Sequence, residues 1–177
     1  ESVRRSGMPF TILRPSTVYG PGTRGLFWKM VNLTRSVRII PVIGPGRELF
    51  RPVHVDDIAG AVEASLRDEG SAGRTYDLGG ADAVSFSGFV QAIADCLGVS
   101  VTQIHLPVWA CSLVARLTAW MPSPPLTLDN IVGISQLQAC DNAPAERDLG
   151  YHPRRLADGL RQTLSAAAAA RPGPQGS

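Results

Sequence analysis

The sequence predicts an α/β fold built around a parallel sheet. Short apolar segments rich in β-branched residues alternate with segments whose apolar residues recur at helical spacing. The first apolar segment, residues 10–18, is almost continuously apolar, which is typical of a strand covered on both faces by helices. Several short strand-like segments separated by turns follow Ile39, and they indicate a second, smaller substructure.

The composition argues against several functional classes. Of the 177 residues, 44% are hydrophobic and 18% are charged, as in an ordinary globular domain. The net charge of +2 does not favour nucleic-acid binding, and no apolar run reaches the roughly 20 residues of a membrane-spanning helix. No cluster of His, Cys, Asp and Glu has the spacing of a metal site. The three cysteines form no C-x-x-C pair and are expected to be buried free thiols: Cys96, Cys111 and Cys140.

Glycine and proline positions define the N-terminal elements. Residues 1–6 are expected to end a helix that Gly7 stops. In the strand at 10–18, Pro15 has no amide to donate to a ladder, so we expect it at the carboxyl end of the strand. Residues 20–25 follow as a turn.

This turn also matches G-x-G-x-x-G, the pattern of loops that bind a pyrophosphate group. Pro21 lacks the amide that such a loop uses. No acidic residue ends a second parallel strand about 20 residues further on, where a ribose would be bound. We therefore interpret residues 20–25 as a turn and not as a phosphate-binding loop.

The middle of the chain predicts helices and short strands in alternation. Residues 26–37 have helical spacing, and residues 39–43 and 49–55 are typical of strands. Asp56 is a favourable N-cap for the next helix. The face that this helix is expected to bury is spaced i, i+3, i+4, i+7 and i+8, namely Ile58, Ala61, Val62, Ser65 and Leu66.

The alternation continues to the C-terminus. Residues 74–78 and 99–106 predict strands, and Ser85 is expected to cap a helix that runs to Leu97. Residues 1–164 are expected to form the folded part, and the Ala/Pro/Gly-rich segment 165–177 a disordered tail. Further helices are expected at 107–121, 126–140 and 155–170.

Three motifs carry a family resemblance. They are Leu13-Arg14-Pro15 with Val18-Tyr19-Gly20-Pro21, then Val55-Asp56-Asp57-Ile58-Ala59, and then Tyr76-Asp77-Leu78-Gly79-Gly80. Together they resemble the C-terminal half of an extended short-chain dehydrogenase, the NAD-dependent epimerase/dehydratase family. The resemblance implies the C-terminal strands of a Rossmann-like parallel sheet, incomplete here, together with the smaller substrate-binding lobe.

The resemblance also implies a nicotinamide cofactor, NAD or NADP, in the intact parent. Its nicotinamide would lie beside the backbone of Pro15, Ser16, Thr17 and Val18. In the family, the glycine loop and the catalytic Tyr-x-x-x-Lys precede these motifs, and neither occurs in the 177 residues. We therefore expect the substrate-side portion of an oxidoreductase or epimerase, with no catalytic residue of its own and no tightly bound cofactor.

The residues that the resemblance implies for substrate binding are Thr17, Arg51 and His54. Arg51 aligns with an arginine that binds the substrate diphosphate in sugar-nucleotide enzymes, and a guanidinium suits phosphate oxygens. The alternative for Arg51 is an ion pair with Glu48, Asp56 or Asp57. The alternative for His54 is a core residue whose ring nitrogens are satisfied by the protein.

A second branch of the family offers a different function. Ser6-Gly7-Met8-Pro9-Phe10 through Pro15, and Arg51 through Asp57, resemble the short-chain-dehydrogenase-like accessory subunit of respiratory complex I. This resemblance implies a non-catalytic interaction module. Because no signal peptide and no membrane-spanning run occur in the sequence, we expect a cytoplasmic or membrane-peripheral protein. For the intact parent we expect a small-molecule substrate, and for this chain a second copy or a partner chain that covers exposed sheet edges. The apolar segment 108–121 is expected to be a core helix, and the alternatives are a lid over an apolar substrate, a lipid-binding surface or a groove for a partner.

The isolated chain is predicted to bind NAD and NADP weakly and to lack turnover, because the amides and helix dipole that hold a pyrophosphate belong to the glycine loop. Isothermal calorimetry with each dinucleotide measures the affinity directly. A micromolar dissociation constant, or NAD(P)H oxidation with any carbonyl substrate, would contradict this expectation.

Overall fold

The computed structural model describes residues 8–107, except 24, 45 and 48, together with 109 and 140–169. The chain divides into two compact units. The larger unit contains residues 1–28, 51–83 and 139–177, and the smaller unit contains residues 29–50 and 84–138. A second, smaller unit is therefore present, but it begins at residue 29 and not after Ile39, and residues 51–83 belong to the larger unit.

Two parallel strand pairs form the framework of the larger unit. Strand β1 (Ile12–Pro15) pairs with β6 (Thr75–Leu78), and β2 (Val18–Tyr19) pairs with β5 (Val53–His54). Pro15 ends β1, as predicted. The prediction of one continuous strand at 10–18 is wrong, because the chain forms two strands, β1 and β2, which pair with different strands. The Ser16 amide donates to the Leu78 carbonyl, whereas the Thr17 carbonyl accepts from the Val53 amide.

Helix α2 (Val55–Arg67) follows β5 directly and differs in two respects from its prediction. Its N-cap is His54 and not Asp56, because the His54 ring accepts the Asp56 amide and leaves Asp56 in the first turn. The predicted buried face is confirmed at Ile58 and Ala61, which pack inward together with Ala64. It is wrong at Val62, which is 42% exposed, and at Leu66, which is 82% exposed.

The core of the larger unit lies between β6, α2 and a short helix that the sequence did not predict. This helix, α4 (Ala143–Leu149), ends at Gly150, whose φ of 61° belongs to the left-handed region. The last helix, α5 (Leu156–Ala169), is close to its prediction and runs past the boundary set for the tail at 165. The core residues are Ala61, Tyr76, Leu78, Ala145, Leu149 and Tyr151.

The smaller unit also pairs its strands across long stretches of sequence. Strand β3 (Ile39–Ile43) runs parallel to β8 (Thr102–Leu106), and β4 (Leu49–Phe50) runs antiparallel to β7 (Val84–Ser85). Helix α1 (Leu26–Ser36) leads into β3, and α3 (Phe86–Leu97) begins after its Ser85 cap, as predicted. Phe50 and Phe89 pack edge to face in its core, with ring centroids 5.6 Å apart.

Several predictions need correction or lie outside the described residues. The strand predicted at 49–55 is two strands, β4 and β5, which belong to different sheets. Cys96 and Cys140 are half-buried, whereas full burial was predicted. The segments 1–6, 111–139 and 170–177, including Cys111, lie outside the described residues; Trp109, which is described, is 72% exposed. No described helix is long and apolar enough to cross a membrane.

Candidate functional site

The candidate site lies where the segment before β5 meets the segment after β6. The Gly80 amide donates to the Arg51 carbonyl at 3.1 Å. In return, Arg51 Nη1 donates to the carbonyls of Gly80 at 3.2 Å and Ala81 at 3.0 Å. The half-buried arginine is therefore fixed at both its backbone and its guanidinium end.

Two consecutive glycines make this approach possible. A Cβ at Gly79 would lie 2.8 Å from Arg51 Cβ and 3.0 Å from Arg51 Cδ. A Cβ at Gly80 would lie 2.0 Å from the Pro52 carbonyl oxygen, which no side chain can tolerate. The backbone of the Gly79-Gly80 pair thus forms a flat surface against which the aliphatic part of the Arg51 side chain packs.

The acidic residues proposed as alternative partners of Arg51 pair elsewhere. Arg154 Nε donates to Asp57 Oδ1 at 2.8 Å, the Arg154 amide donates to Asp57 Oδ2 at 3.1 Å, and Arg154 Nη1 reaches Asp56 Oδ2 at 3.4 Å. Glu48 lies outside the described residues. Among the described carboxylates none forms an ion pair with Arg51. The pairing of Arg51 with Asp56 or Asp57 is therefore wrong.

The segment predicted to lie beside a nicotinamide is next to the strand that follows Arg51. Val18 is in register with Val53, and the Thr17 carbonyl accepts the Val53 amide at 2.9 Å. The Ser16, Thr17 and Val18 side chains are half-buried and Pro15 is exposed. The segment leaves the carboxyl end of β1, the edge at which parallel sheets bind their ligands. Thr17 and Arg51 thus lie in the segments that lead into the neighbouring strands β2 and β5.

His54, in contrast, is enclosed by protein groups. It is 1% exposed, and the Tyr19 ring packs edge-on against it at a centroid distance of 5.3 Å. Nδ1 accepts the Asp56 amide at 3.2 Å, so the neutral ring carries its proton on Nε2, which donates to Thr163 Oγ1 at 3.1 Å. The Thr163 hydroxyl in turn donates to the Gly159 carbonyl at 2.8 Å. This geometry matches the core alternative, whereas a role of His54 in substrate binding stays a prediction.

The glycine turn has no room for a phosphate group at Gly20, whereas a Cβ at Gly22 or Gly25 would meet no atom within 4 Å. Gly20 has a φ of 135°, and a Cβ there would lie 2.7 Å from Val55 Cγ1 and 3.3 Å from His54 Nε2. The Thr23 hydroxyl donates to the Gly20 carbonyl at 2.7 Å. The space that a phosphate would occupy beside Gly20 is therefore filled by the protein's own side chains.

Comparison with known proteins agrees with the family resemblance in the sequence. The model of the NAD dependent epimerase/dehydratase family matches residues 1–79, which confirms the predicted resemblance over that part of the chain.

Two relatives from Arabidopsis thaliana illustrate the range of the similarity. The mitochondrial "NADH dehydrogenase [ubiquinone] 1 alpha subcomplex subunit 9" is 32% identical over 158 residues, which cover 82% of this chain and 39% of the relative. "3beta-hydroxysteroid-dehydrogenase/decarboxylase isoform 2" is 27% identical over 180 residues, which cover 92% of this chain and 32% of the relative. The chain spans less than half the length of these curated relatives.

Solved structures confirm the predicted α/β, Rossmann-like fold. UDP-glucuronic acid 4-epimerase from Bacillus cereus, solved with UDP-glucuronic acid and NAD, matches 95% of this chain and 48% of its own. The TM-score is 0.68 and the identity 21%. The protein described as gox2253 matches with a TM-score of 0.72 at 22% identity, over 94% of this chain and 51% of its own. At these identities the likeness concerns the fold.

Removal of Arg154 is predicted to destabilise the chain, because the side chain of its partner Asp57 is only 9% exposed. Arg154→Ala leaves that carboxylate without its cation, and the free energy of unfolding should fall by about 2 kcal/mol or more, towards the ~3–5 kcal/mol of a fully buried pair. Urea unfolding measures the loss. Arg155→Ala, the exposed neighbour, is the control and should change stability by less than about 0.5 kcal/mol. Equal losses in both variants would contradict the role of the Asp57 pair.

His54 should make the stability depend on pH. Burial, followed by the charge of Arg154, lowers the pKa of His54 below its ordinary value. As the pH falls below about 6.5, the unfolded chain binds a proton that the folded chain resists, so stability decreases. His54→Asn keeps a capping side chain but does not titrate. Its stability deficit relative to the natural chain should shrink between pH 7.5 and 5.5, by up to about 1.4 kcal/mol per unit of pKa lowering. A deficit that is constant with pH would argue against this coupling.

Proposed function

We propose that this chain is the substrate-binding part of an NAD(P)-dependent oxidoreductase or epimerase, and that Arg51 binds an anionic group of the substrate. The observation that carries the proposal is the state of Arg51. It is a half-buried cation, fixed by two carbonyls, with no carboxylate partner among the described residues.

The chemistry of a fixed guanidinium supports an anionic ligand. Both hydrogen bonds that described residues accept from the Arg51 side chain use Nη1, so they set the plane of the group and leave Nε and Nη2 without a described acceptor. A planar fork of N–H donors matches the oxygens of a phosphate or a carboxylate. Because the two carbonyls hold the fork in advance, little side-chain entropy remains to be lost on binding.

The residues present fit one end of the cofactor. Pro15, Ser16, Thr17 and Val18 would hold the nicotinamide end, at the carboxyl edge of β1 and on the strand beside β5. The nicotinamide, when bound, supplies hydride transfer. The turn has no room for a phosphate at Gly20, because Val55 and His54 fill the space there.

A second function is favoured by one specific observation, the 32% identity to a protein named as a subunit of NADH dehydrogenase. In that case the chain belongs to a module that acts through partner chains without turnover. The two proposals differ in what the intact parent does. Turnover of NAD(P)H supports the enzyme, and a stable complex with partner chains but no turnover supports the accessory module.

Arg51→Ala is predicted to weaken anion binding by roughly 1.5–3 kcal/mol, or about 10- to 150-fold, the range for a hydrogen bond to a charged group. Arg51→Lys should recover only part of the affinity, because an ammonium cannot present a fork. Isothermal calorimetry with inorganic pyrophosphate and, separately, with malonate measures the effect and distinguishes a phosphate from a carboxylate ligand.

The control is Arg67→Ala, since Arg67 is an exposed arginine of α2 that pairs with Glu63. It has the same charge change and should leave both affinities within about 2-fold. The proposal fails if Arg51→Ala and Arg67→Ala weaken binding equally, or if Arg51→Ala leaves both affinities intact.

A further inference from the structure

We propose that Asn142 is a positioning residue whose buried side-chain amide holds the Gly79 peptide and thereby orients the Arg51 guanidinium. This inference rests on the proposed function of Arg51 and extends it to a residue in none of the three family motifs. Asn142 is 6% exposed and lies in the same unit as Arg51.

The Asn142 side chain pairs with both polar groups of one residue. The Gly79 amide donates to Asn142 Oδ1 at 2.7 Å, and Asn142 Nδ2 donates to the Gly79 carbonyl at 3.0 Å. The Tyr151 hydroxyl donates to the same carbonyl at 3.0 Å. All three bonds are buried. Asn142 thus replaces a partner strand at the point where the β1–β6 ladder ends, at Leu78.

The position of Asn142 in the sequence makes this use of its side chain informative. Asn142 is the N-cap residue of α4, where an asparagine side chain ordinarily accepts an amide of the first turn. Here it makes no capping hydrogen bond, and Asp141 Oδ1 accepts the Ala143 amide at 3.0 Å instead. The Asn142 side-chain amide, which could have capped α4, is therefore bound to Gly79 instead.

Gly79 connects Asn142 to Arg51 by two routes. The stem of Arg51 lies on Gly79, where a Cβ would be 2.8 Å from Arg51 Cβ. The next two residues along the chain, Gly80 and Ala81, carry the carbonyls that accept Arg51 Nη1. A shift of the Gly79 backbone therefore moves the surface against which the Arg51 side chain packs. It also moves the two carbonyls that set the orientation of the Arg51 guanidinium.

Asparagine is the side chain that this position requires. Aspartate keeps the acceptor for the Gly79 amide but has no donor, so an anionic oxygen would face the Gly79 carbonyl. Alanine leaves the Gly79 amide without its buried acceptor. In either variant Arg51 keeps its charge but loses its fixed direction, and its affinity should approach that of a point charge.

The test is a double-mutant cycle on the full chain, with inorganic pyrophosphate as the probe in calorimetry. Asn142→Ala should weaken binding by about 3-fold or more when Arg51 is present, and by less than about 2-fold in the Arg51→Ala background, because residues joined through one hydrogen-bond network couple. Leu149→Ala is the matched control, since it removes core packing from α4 and Leu149 has no bond to Gly79. It should lower the melting temperature and leave the affinity unchanged. If Asn142→Ala does not fold, Asn142→Asp takes its place in the cycle.

A second readout needs no ligand. NMR of the Arg51 guanidinium should show slow rotation of its Nη groups in the natural chain and in Leu149→Ala, and faster rotation in both Asn142 variants. Unchanged rotation overturns the positioning role, as does an Asn142 effect on affinity that is equal with and without Arg51. If Arg51→Ala leaves pyrophosphate affinity intact, the function proposed for Arg51 fails, and the rotation rates alone then decide the role of Asn142. If Arg51→Ala weakens binding and Asn142→Ala does not, only the positioning role fails.

Discussion

The close approach of Arg51 and Pro52 to Gly79 and Gly80 is the constraint on which the candidate site depends. It requires two residues without a Cβ, since a Cβ at Gly80 would lie 2.0 Å from the Pro52 carbonyl oxygen. The approach joins the start of β5 to the end of β6 through the Gly80 amide and the Arg51 carbonyl. It also leaves a charged side chain lying on a backbone surface, with carbonyls instead of carboxylates as its partners.

The distribution of acidic groups explains why the arginine keeps its charge available. Asp57 is held by the amide and guanidinium of Arg154, and Asp56 by Arg154 and Gln162, so both carboxylates at the start of α2 are occupied. The His54 ring is likewise occupied, because it caps α2 and forms a hydrogen bond with Thr163. The motif Val53-His54-Val55-Asp56-Asp57 therefore consists largely of residues that fix α2. Arg51, just before it, donates from Nη1 to two carbonyls and forms no ion pair with a described carboxylate.

Local patterns predicted some elements and could not predict others. The cap at Ser85, the strand at 39–43 and the strand ending at Leu78 follow from signals within a few residues of each element. The buried face of α2 was partly wrong because two apolar stripes share its helical period, and the choice between them depends on α4, more than 70 residues away in sequence. Asn142 was missed for the same reason, since its partner Gly79 is 63 residues distant. Arg51 was found through the family resemblance, whereas the structure was needed to show that Asp56 and Asp57 pair with Arg154 instead.

The central claim is that Arg51 binds an anion through the N–H groups that its two carbonyl bonds leave unused. A crystal structure of the chain with inorganic pyrophosphate tests this claim most directly. The account predicts phosphate oxygens within hydrogen-bonding distance of Arg51 Nε or Nη2, with the bonds from Nη1 to Gly80 and Ala81 retained. Pyrophosphate bound at another cation, with Arg51 turned onto a carboxylate, would contradict it.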